Sequence, residues 1–181
     1  MRIITGSARG RKLSAPDGTD VRPTAEVTKE AVFSAIHFEV EGARMLDLFA
    51  GTGQMGLEAL SRGARSVTFV ENGRPSLQAL RDNIAACGFE DQCKVAAMDA
   101  LRFLEIGGQE YDIVFLDPPY NQGLAQAAVL LAARQTAPGG VILCETDRRE
   151  QMPEAAGDFR LIKTRRYGKA MIHTYRKPEE E

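Results

Sequence analysis

The stretch Met45-Leu-Asp-Leu-Phe-Ala-Gly-Thr-Gly-Gln-Met-Gly56 decides the fold. Its apolar start, Met45 to Phe49, predicts a short buried strand, and the residues from Gln54 to Arg62 are good helix formers. Gly51 and Gly53 lie between the two elements, where glycine allows a tight turn and a close approach of the backbone to a ligand. The pattern therefore predicts a ligand site at a helix N-terminus.

The spacing of the glycines leaves the ligand open between two cofactor classes. Gly51-x-Gly53-x-x-Gly56 also fits the dinucleotide fingerprint, because the acidic Glu71 ends the next apolar run at the distance expected for a ribose contact. Asp47 favours S-adenosylmethionine over NAD, since a carboxylate so close to the turn would repel a pyrophosphate. S-Adenosylmethionine has a cationic amino-acid tail for Asp47 and a ribose diol for Glu71. A tight turn that binds nothing is the remaining alternative.

Length and composition predict one sizeable core. The chain has 181 residues, of which 44% are hydrophobic, so we expect a main domain over residues 41–181 with an N-terminal extension over residues 1–40. The three cysteines form no Cys-x-x-Cys pair, which indicates neither a disulfide framework nor a zinc site. Without a membrane-length apolar run, a signal core or a metal cluster, we expect a cytoplasmic protein that binds no membrane and no metal.

Basic residues are concentrated at the two ends of the chain. The net charge of −2 and the pI of about 5.8 argue against a protein that coats nucleic acid with basic charge. The N-terminal group is Arg2, Arg9, Arg11, Lys12 and Arg22, and the C-terminal group is Lys163, Arg165, Arg166, Lys169, Arg176 and Lys177. If the two ends meet in the fold, they form a phosphate-binding surface. Ordinary solvated strand faces are the alternative.

Strand and helix patterns alternate through the middle of the chain. After a small hairpin (residues 2–4 and 12–14) and a helix over about 25–40 capped by Thr24, strands are predicted at 45–49, 66–70, 93–97, 111–116 and 140–145, and helices at 54–62, 75–87, after 99 and at 124–136. This alternation indicates a parallel sheet covered on both faces. Residues 159–166 and 170–176 predict a closing antiparallel hairpin, so we expect a mostly parallel, seven-stranded α/β sheet. This topology resembles the Rossmann-like fold of the class I methyltransferases.

Polar residues follow four of the predicted parallel strands. The Gly51 turn follows the first strand, Glu71 ends the second, Asp99 follows the third and Asp117 follows the fourth. Ligands in such sheets bind at the carboxyl ends of the strands, so we expect these residues to converge on one edge. On local grounds Asp99 could equally be the N-cap of the short helix that follows it.

The motif Asp117-Pro-Pro-Tyr120 is the most specific feature of the sequence. Two prolines remove backbone donors and fix the turn, which leaves the Pro118 carbonyl and the Asp117 carboxylate as acceptors. Tyr120 adds a flat face on which a base can stack. Together they suit a planar group with an exocyclic NH2. A proline-rich turn with an incidental acid is the alternative, and the lack of a Pro-Cys pair argues against carbon-5 pyrimidine methylation.

Five segments together resemble the RsmD family of small-subunit (16S) ribosomal RNA guanine-N2 methyltransferases. They are Arg2-Ile-Ile-Thr-Gly-Ser-Ala-Arg-Gly-Arg-Lys-Leu13, Val21-Arg-Pro-Thr24, Lys29-Glu-Ala-Val-Phe33, Leu46 to Gly53 with Gly56-Leu-Glu-Ala-Leu60, and Phe115-Leu-Asp-Pro-Pro-Tyr120. Many methyltransferases share the catalytic motifs, so it is the N-terminal segment that points to this family.

The resemblance implies S-adenosylmethionine as cofactor and small-subunit ribosomal RNA, within the assembled subunit, as partner. The implied catalytic residues are Asp117, Pro118 and Tyr120, and the cofactor-binding residues are Asp47, Phe49, Gly51, Thr52, Gly53, Gly56, Glu71, Asp99, Ala100 and Leu101. The residues expected on the RNA side are Arg9, Arg11, Lys12, Arg22, Thr24, Arg165, Arg166 and Lys169. An adenine-N6 methyltransferase acting on DNA or RNA is the alternative, although the chain has no insertion large enough for a DNA target-recognition domain.

Overall fold

An eight-stranded sheet forms the centre of the computed structural model, which describes residues 1–16 and 26–179. The strands are β1 (Arg44–Leu48), β2 (Ser66–Glu71), β3 (Cys93–Ala97), β4 (Tyr111–Leu116), β5 (Thr136–Asp147), β6 (Ala155–Ala156), β7 (Phe159–Tyr167) and β8 (Ala170–Arg176). Their order is β3-β2-β1-β4-β5-β8-β7-β6. The first five are parallel and the last three antiparallel, which confirms the predicted mostly parallel sheet with its C-terminal hairpin.

Two strands differ from the prediction. Strand β6 is an eighth strand that extends the predicted seven, and its two residues are too few to show any alternation in the sequence. Strand β5 is longer than the predicted 140–145, because its first residues pair with the start of β4 before a register shift and its last residues pair with β8.

Five α-helices within residues 1–16 and 26–179 cover the sheet. They are α1 (Glu26–Ala35), α2 (Gln54–Ser61), α3 (Arg74–Cys87), α4 (Ala100–Ile106) and α5 (Leu124–Ala132). The helix predicted over 25–40 is shorter, since a 3-10 turn at His37–Glu39 follows it and places Ile36 and Val40 in the core. The predicted cap Thr24 and its neighbour Arg22 lie outside the described residues. None of the helices in the described part of the chain has the length and apolar character of a membrane span.

The core consists of two apolar layers, one on each face of the sheet. Successive residues of β4 point into opposite layers. Ile113 and Phe115 lie in the layer beneath α1, α2 and α3, and Val114 and Leu116 lie in the layer beneath α4 and α5. Both faces of the parallel strands are therefore buried, which explains why these strands appear in the sequence as nearly continuous apolar runs.

The N-terminal segment, residues 1–16, forms the predicted hairpin only in outline. The Ile3 N–H donates to Arg11 O at 2.9 Å and the Leu13 N–H donates to Met1 O at 3.1 Å, but a single bridge between Arg2 and Lys12 is the whole of the ladder. Ile3 and Leu13 are buried in the same apolar layer as α1 and α2, so the segment packs on the body of the protein.

Glu58 on α2 anchors the N-terminal segment. Its side chain is fully buried and accepts from the N–H groups of Ile4, at 2.8 Å, and Thr5, at 3.0 Å. Arg62 Nε at 2.8 Å and Lys29 Nζ at 3.5 Å balance its charge. Burial lowers the pKa of Lys29, and the nearby Glu58 opposes that shift. Because α2 begins at the Gly-rich turn, this ion cluster holds the segment on the helix that leaves the turn.

Asn83 on α3 is a second anchor, and it connects the segment to the turn itself. The side chain is 1% exposed, accepts from the Ser14 N–H at 2.7 Å, and donates to Ser14 O and Thr52 O, both at 3.0 Å. The Thr52 hydroxyl in turn donates to Met1 Sδ at 3.5 Å. Met1 therefore contacts the Gly-rich turn directly, and Ser14 is connected to the turn through Asn83.

The three cysteines are free thiols in apolar surroundings. Cys144 is buried, and Cys87 and Cys93 are half-buried. Burial raises the pKa of Cys93 to about 12, and it also raises the pKa values of Cys87 and Cys144. All three thiols are therefore protonated at neutral pH.

Candidate active site

A cleft of about 410 Å³ lies at the carboxyl ends of the parallel strands, where the sheet topology places ligands. Ten of the predicted catalytic and cofactor-binding residues line it: Asp47, Phe49, Gly51, Thr52, Glu71, Asp99, Ala100, Asp117, Pro118 and Tyr120. The structure thus brings together residues from four strand ends. Four of the ten are acids, which makes the cleft strongly acidic.

Asp47 lies at the bottom of this cleft on β1. It is 2% exposed, and it accepts from the Gly56 N–H at 2.9 Å. Burial raises the pKa of Asp47 to about 7; the Gly56 N–H opposes this shift and the nearby Glu71 adds to it. A cation bound beside Asp47 would favour the ionised form.

The three glycines of the turn have different tasks. Gly51 has a φ of +56° and nothing lies within 4 Å of where its side chain would begin, so its bare backbone faces the open cleft. A Cβ on Gly53 would lie 2.3 Å from a methyl carbon of Leu80, and one on Gly56 would lie 2.3 Å from the ring of Phe69. Gly53 and Gly56 do not line the cleft, and they allow α2 to pack closely against α3 and β2.

Glu71 supports the Gly-rich turn from the end of β2. Its Oε2 accepts from the Gly51 N–H at 2.8 Å, and its Oε1 accepts from the N–H groups of Gly73, at 2.7 Å, and Asn72, at 3.0 Å. The sequence did not indicate this structural task. An ionised carboxylate has about four acceptor sites, so three backbone donors leave capacity for a ligand hydroxyl.

Asp99 caps the helix that follows β3. Its Oδ1 accepts from the Arg102 N–H at 2.9 Å, which confirms the N-cap reading. The residue is exposed and also lines the cleft, so its capping role is compatible with the predicted contact with a ligand. Ala100 lines the cleft beside it, whereas Leu101 packs against the apolar layer beneath α4 and is not part of the cleft lining.

The Asp117–Tyr120 turn forms another part of the cleft wall, at the end of β4. Asp117 and Tyr120 are half-buried and Pro118 is buried. The Asp117 N–H contacts Leu48 O at 3.4 Å, which connects the turn to the end of β1. The Tyr120 hydroxyl donates to Glu145 Oε1 at 2.9 Å, a partner that the sequence reading did not single out.

The sequence analysis assigned no role to the other residues that line the cleft. They are Ala50, Gln54, Met55, Val70, Asn72, Met98, Phe115 and Pro119. Most stand next to a predicted residue in the chain, so adjacency was an available signal. Phe115, on β4, is two positions before Asp117, so the alternation of the strand directs both residues toward the same side.

The basic residues that were predicted to contact RNA and that the structure describes lie outside the cleft. Arg9, Arg11, Lys12, Arg165, Arg166 and Lys169 are all exposed, while Arg22 and Thr24 lie outside the described residues. Helix α1 contacts both basic groups: Glu26 pairs with Arg2 at 3.3 Å, and Ala31 and Ala35 line a groove with Lys163 and Arg165. Residues 1–16 and 26–179 contain no cluster of metal-ligating side chains.

The strand order and the cleft define the class of protein, a methyltransferase with the Rossmann-like fold. The solved structure of the Escherichia coli protein yhhF has a TM-score of 0.88 and 34% identity, covering 98% of this chain and 97% of that one. The chain belongs to the family described as Conserved hypothetical protein 95, whose model matches residues 1–176.

Two further relatives agree with the resemblance seen in the sequence. The Ribosomal RNA small subunit methyltransferase D of Escherichia coli (strain K12) is 33% identical over 179 residues, covering 98% of this chain and 90% of that protein. A Thermus thermophilus 16S rRNA N2 G1207 methyltransferase (RsmC), solved in complex with AdoMet and guanosine, has a TM-score of 0.73 and 25% identity, covering 90% of this chain and 45% of that one. The predicted membership of the RsmD family is confirmed.

Proposed function

We propose that this chain transfers a methyl group from S-adenosylmethionine to N2 of a guanine in small-subunit ribosomal RNA. The observation that carries the proposal is the acidic cleft, which both the Gly-rich turn and the Asp117–Tyr120 turn line. The names of the relatives support it, since one acts on the small ribosomal subunit and another is an N2 methyltransferase solved with guanosine.

The residues on the β1, β2 and β3 side fit S-adenosylmethionine. Asp47 would hold the ammonium of the amino-acid tail, and Glu71 would accept from the ribose hydroxyls. Asp99 would accept from the adenine amino group through Oδ2, the carboxylate oxygen that does not cap α4, with Ala100 beside the ring. A cationic cofactor also suits four acids in one cleft, whereas the pyrophosphate of a dinucleotide would be repelled.

The residues on the β4 side fit the amine that receives the methyl group. The Asp117 carboxylate and the Pro118 carbonyl would each accept one hydrogen of N2, which turns the nitrogen lone pair toward the methyl donor. Bound here, S-adenosylmethionine would supply the methyl group from its sulfonium: the C–N bond would form as the C–S bond breaks, giving a neutral thioether, and N2 would release one proton to water. Asp117 stabilises the positive charge that develops on N2 during transfer.

The target base must leave its stack to reach this cleft. Tyr120, half-buried in the wall, offers a ring on which the extruded base can stack, replacing part of the stacking that the base loses. The exposed Arg9, Arg11 and Lys12 and the basic residues of the β7–β8 hairpin would contact phosphates around the target. The assembled small subunit is the expected partner.

Methyl transfer from radiolabelled S-adenosylmethionine tests the proposal directly. The acceptors are assembled small-subunit particles, naked 16S RNA and duplex DNA, each digested to nucleosides after reaction, with Asp117→Ala as the matched inactive protein. We expect N2-methylguanosine from small-subunit particles. N6-methyladenosine as the product would replace the proposal by the adenine-N6 alternative, and no incorporation into any acceptor would overturn it.

A further inference from the structure

Glu145 is a buried acid that bonds to the tyrosine of the cleft wall. It is 2% exposed and stands at the end of the apolar run Val141-Ile-Leu-Cys144 of β5. Its Oε1 accepts from the Tyr120 hydroxyl at 2.9 Å. Burying a carboxylate is unfavourable unless polar partners surround it, so an acid at this position in a core strand points to a task beyond packing.

The sheet register explains how Glu145 reaches the cleft wall. Leu116, the last residue of β4, pairs with Cys144, so β5 continues beyond the point where β4 ends. Glu145 therefore stands beside the turn that begins at Asp117. On its other side it pairs with Ile172 of β8, which fixes its backbone between two strands.

Tyr120, by contrast, stands on a turn. Asn121, the next residue, has a left-handed φ of 57°, and neither it nor Tyr120 belongs to a helix or strand. The orientation of the tyrosine ring depends on two side-chain torsions. A hydrogen bond from the tyrosine hydroxyl to an acid on a rigid strand restricts both torsions. A ring that is already restricted loses less conformational entropy when a base stacks on it.

We propose that Glu145 is a positioning residue, which holds the ring of Tyr120 in the orientation that receives the target base. The inference deepens the proposed function and rests on it. In this role Glu145 acts through Tyr120: it changes how well the RNA base is engaged, and it leaves cofactor affinity unchanged.

Single-turnover methyl transfer at saturating cofactor, measured over a range of RNA concentrations, tests this role. The variants are Tyr120→Phe, Glu145→Leu, the double variant, and Glu145→Gln, whose amide oxygen still accepts a hydrogen bond. Glu150→Gln is the control, because Glu150 is a nearby acid whose Oε1 contacts the Asp147 N–H instead, at 3.4 Å. Thermal unfolding of each variant accompanies the kinetics.

We expect Tyr120→Phe and Glu145→Leu each to raise the half-saturating RNA concentration roughly 3- to 10-fold, the range expected when one hydrogen bond is removed. The double variant should be no worse than either single variant, because both remove the same hydrogen bond. Glu145→Gln and Glu150→Gln should remain near wild type. Additive effects in the double variant, or an unchanged Tyr120→Phe, would overturn the proposal.

A measurement without RNA separates this proposal from the proposed function. With carbon-13 at the tyrosine Cζ position, the Tyr120 resonance is identified by its loss in Tyr120→Phe. It should shift in Glu145→Leu and stay in place in Glu150→Gln. An unmoved resonance sinks the positioning role even if the enzyme methylates RNA, whereas failure of wild-type protein to methylate RNA refutes the proposed function.

Discussion

The acids on the two sides of the cleft have different tasks. On the side of β1, β2 and β3, each acid accepts from backbone N–H groups: Asp47 from Gly56, Glu71 from Gly51, and Asp99 from the first turn of α4. These acids shape the cleft as well as facing a ligand, so their loss combines two effects. On the β4 side, Asp117 begins the Pro-Pro turn, and its proposed task is to accept from the amine during transfer, so its loss should act mainly on the transfer rate.

Asp117→Ala is expected to give the largest and cleanest effect. It removes an acceptor whose hydrogen bond strengthens as N2 becomes tetrahedral, so the single-turnover rate should fall about 10²-fold or more. Cofactor affinity measured by calorimetry should barely move. Asp91→Ala, at an exposed aspartate of the turn before β3, is the control. A transfer rate near wild type for Asp117→Ala would remove the distinction between the two sides.

Glu71→Ala should show the combined effect of the first side. Cofactor affinity should fall by about 1–3 kcal/mol, because the variant cannot form charge-assisted hydrogen bonds to the ribose. The melting temperature of the cofactor-free protein should fall as well, since the N–H groups of Gly51 and Gly73 lose their acceptor. Calorimetry and thermal unfolding measure the two parts. Lower affinity with unchanged stability would show that the backbone hydrogen bonds contribute little.

Asp47 predicts a pH dependence of cofactor binding. With its pKa raised to about 7, the carboxyl becomes ionised as the pH rises, and only the ionised form attracts an ammonium. Affinity should rise roughly tenfold between pH 6 and pH 8, as expected for one group titrating near the middle of that range. Asp47→Asn should flatten this profile. An equally steep profile in Asp47→Asn would assign the titration to another group.

The same raised pKa predicts the opposite trend for the stability of the cofactor-free protein. Between pH 4 and pH 7 the folded protein keeps a proton on Asp47 that the unfolded chain releases. The free energy of unfolding should therefore decrease as the pH rises through this window, and this contribution should be absent in Asp47→Asn. Urea unfolding at several pH values compares the two proteins.

Neutralising the basic N-terminal residues should have the smallest effect per residue. Replacing Arg9, Arg11 and Lys12 by Gln should weaken RNA binding. It should also make the slope of the logarithm of the binding constant against the logarithm of the salt concentration less steep, by roughly 0.7–0.9 for each RNA phosphate contact that is lost. Cofactor affinity should not change, since these side chains are exposed and outside the cleft. Filter binding across a salt series measures the slope. An unchanged slope would mean that these residues only cover a solvated surface.

The fold and the cleft edge could be predicted because they depend on local patterns. Alternating apolar runs and helix formers define the parallel sheet, and the polar residues after each strand must then converge on one edge. Gly51, Glu71, Asp99 and Asp117 were located in this way, and the structure places all four in the cleft lining.

The interactions that depend on distant parts of the chain could not be predicted. Tyr120 contacts Glu145 because β5 extends beyond the end of β4. The hydrophobic pattern of the sequence does not indicate how far β5 extends. The task of Glu58 required knowledge that two N–H groups of the N-terminal segment come to lie on α2, 53 and 54 residues away in the chain. Its position within an otherwise apolar helical run was the only available sign.

The protonated state of the three native thiols makes this protein suitable for site-specific fluorescent labelling. Maleimide dyes react with thiolates, and burial keeps Cys87, Cys93 and Cys144 protonated, with the pKa of Cys93 at about 12. A cysteine introduced at the exposed Asp91, in the turn before β3, would therefore take up dye far faster than the native residues. Energy transfer from that position to a labelled ribosomal particle could then report docking in real time, without first removing any native cysteine.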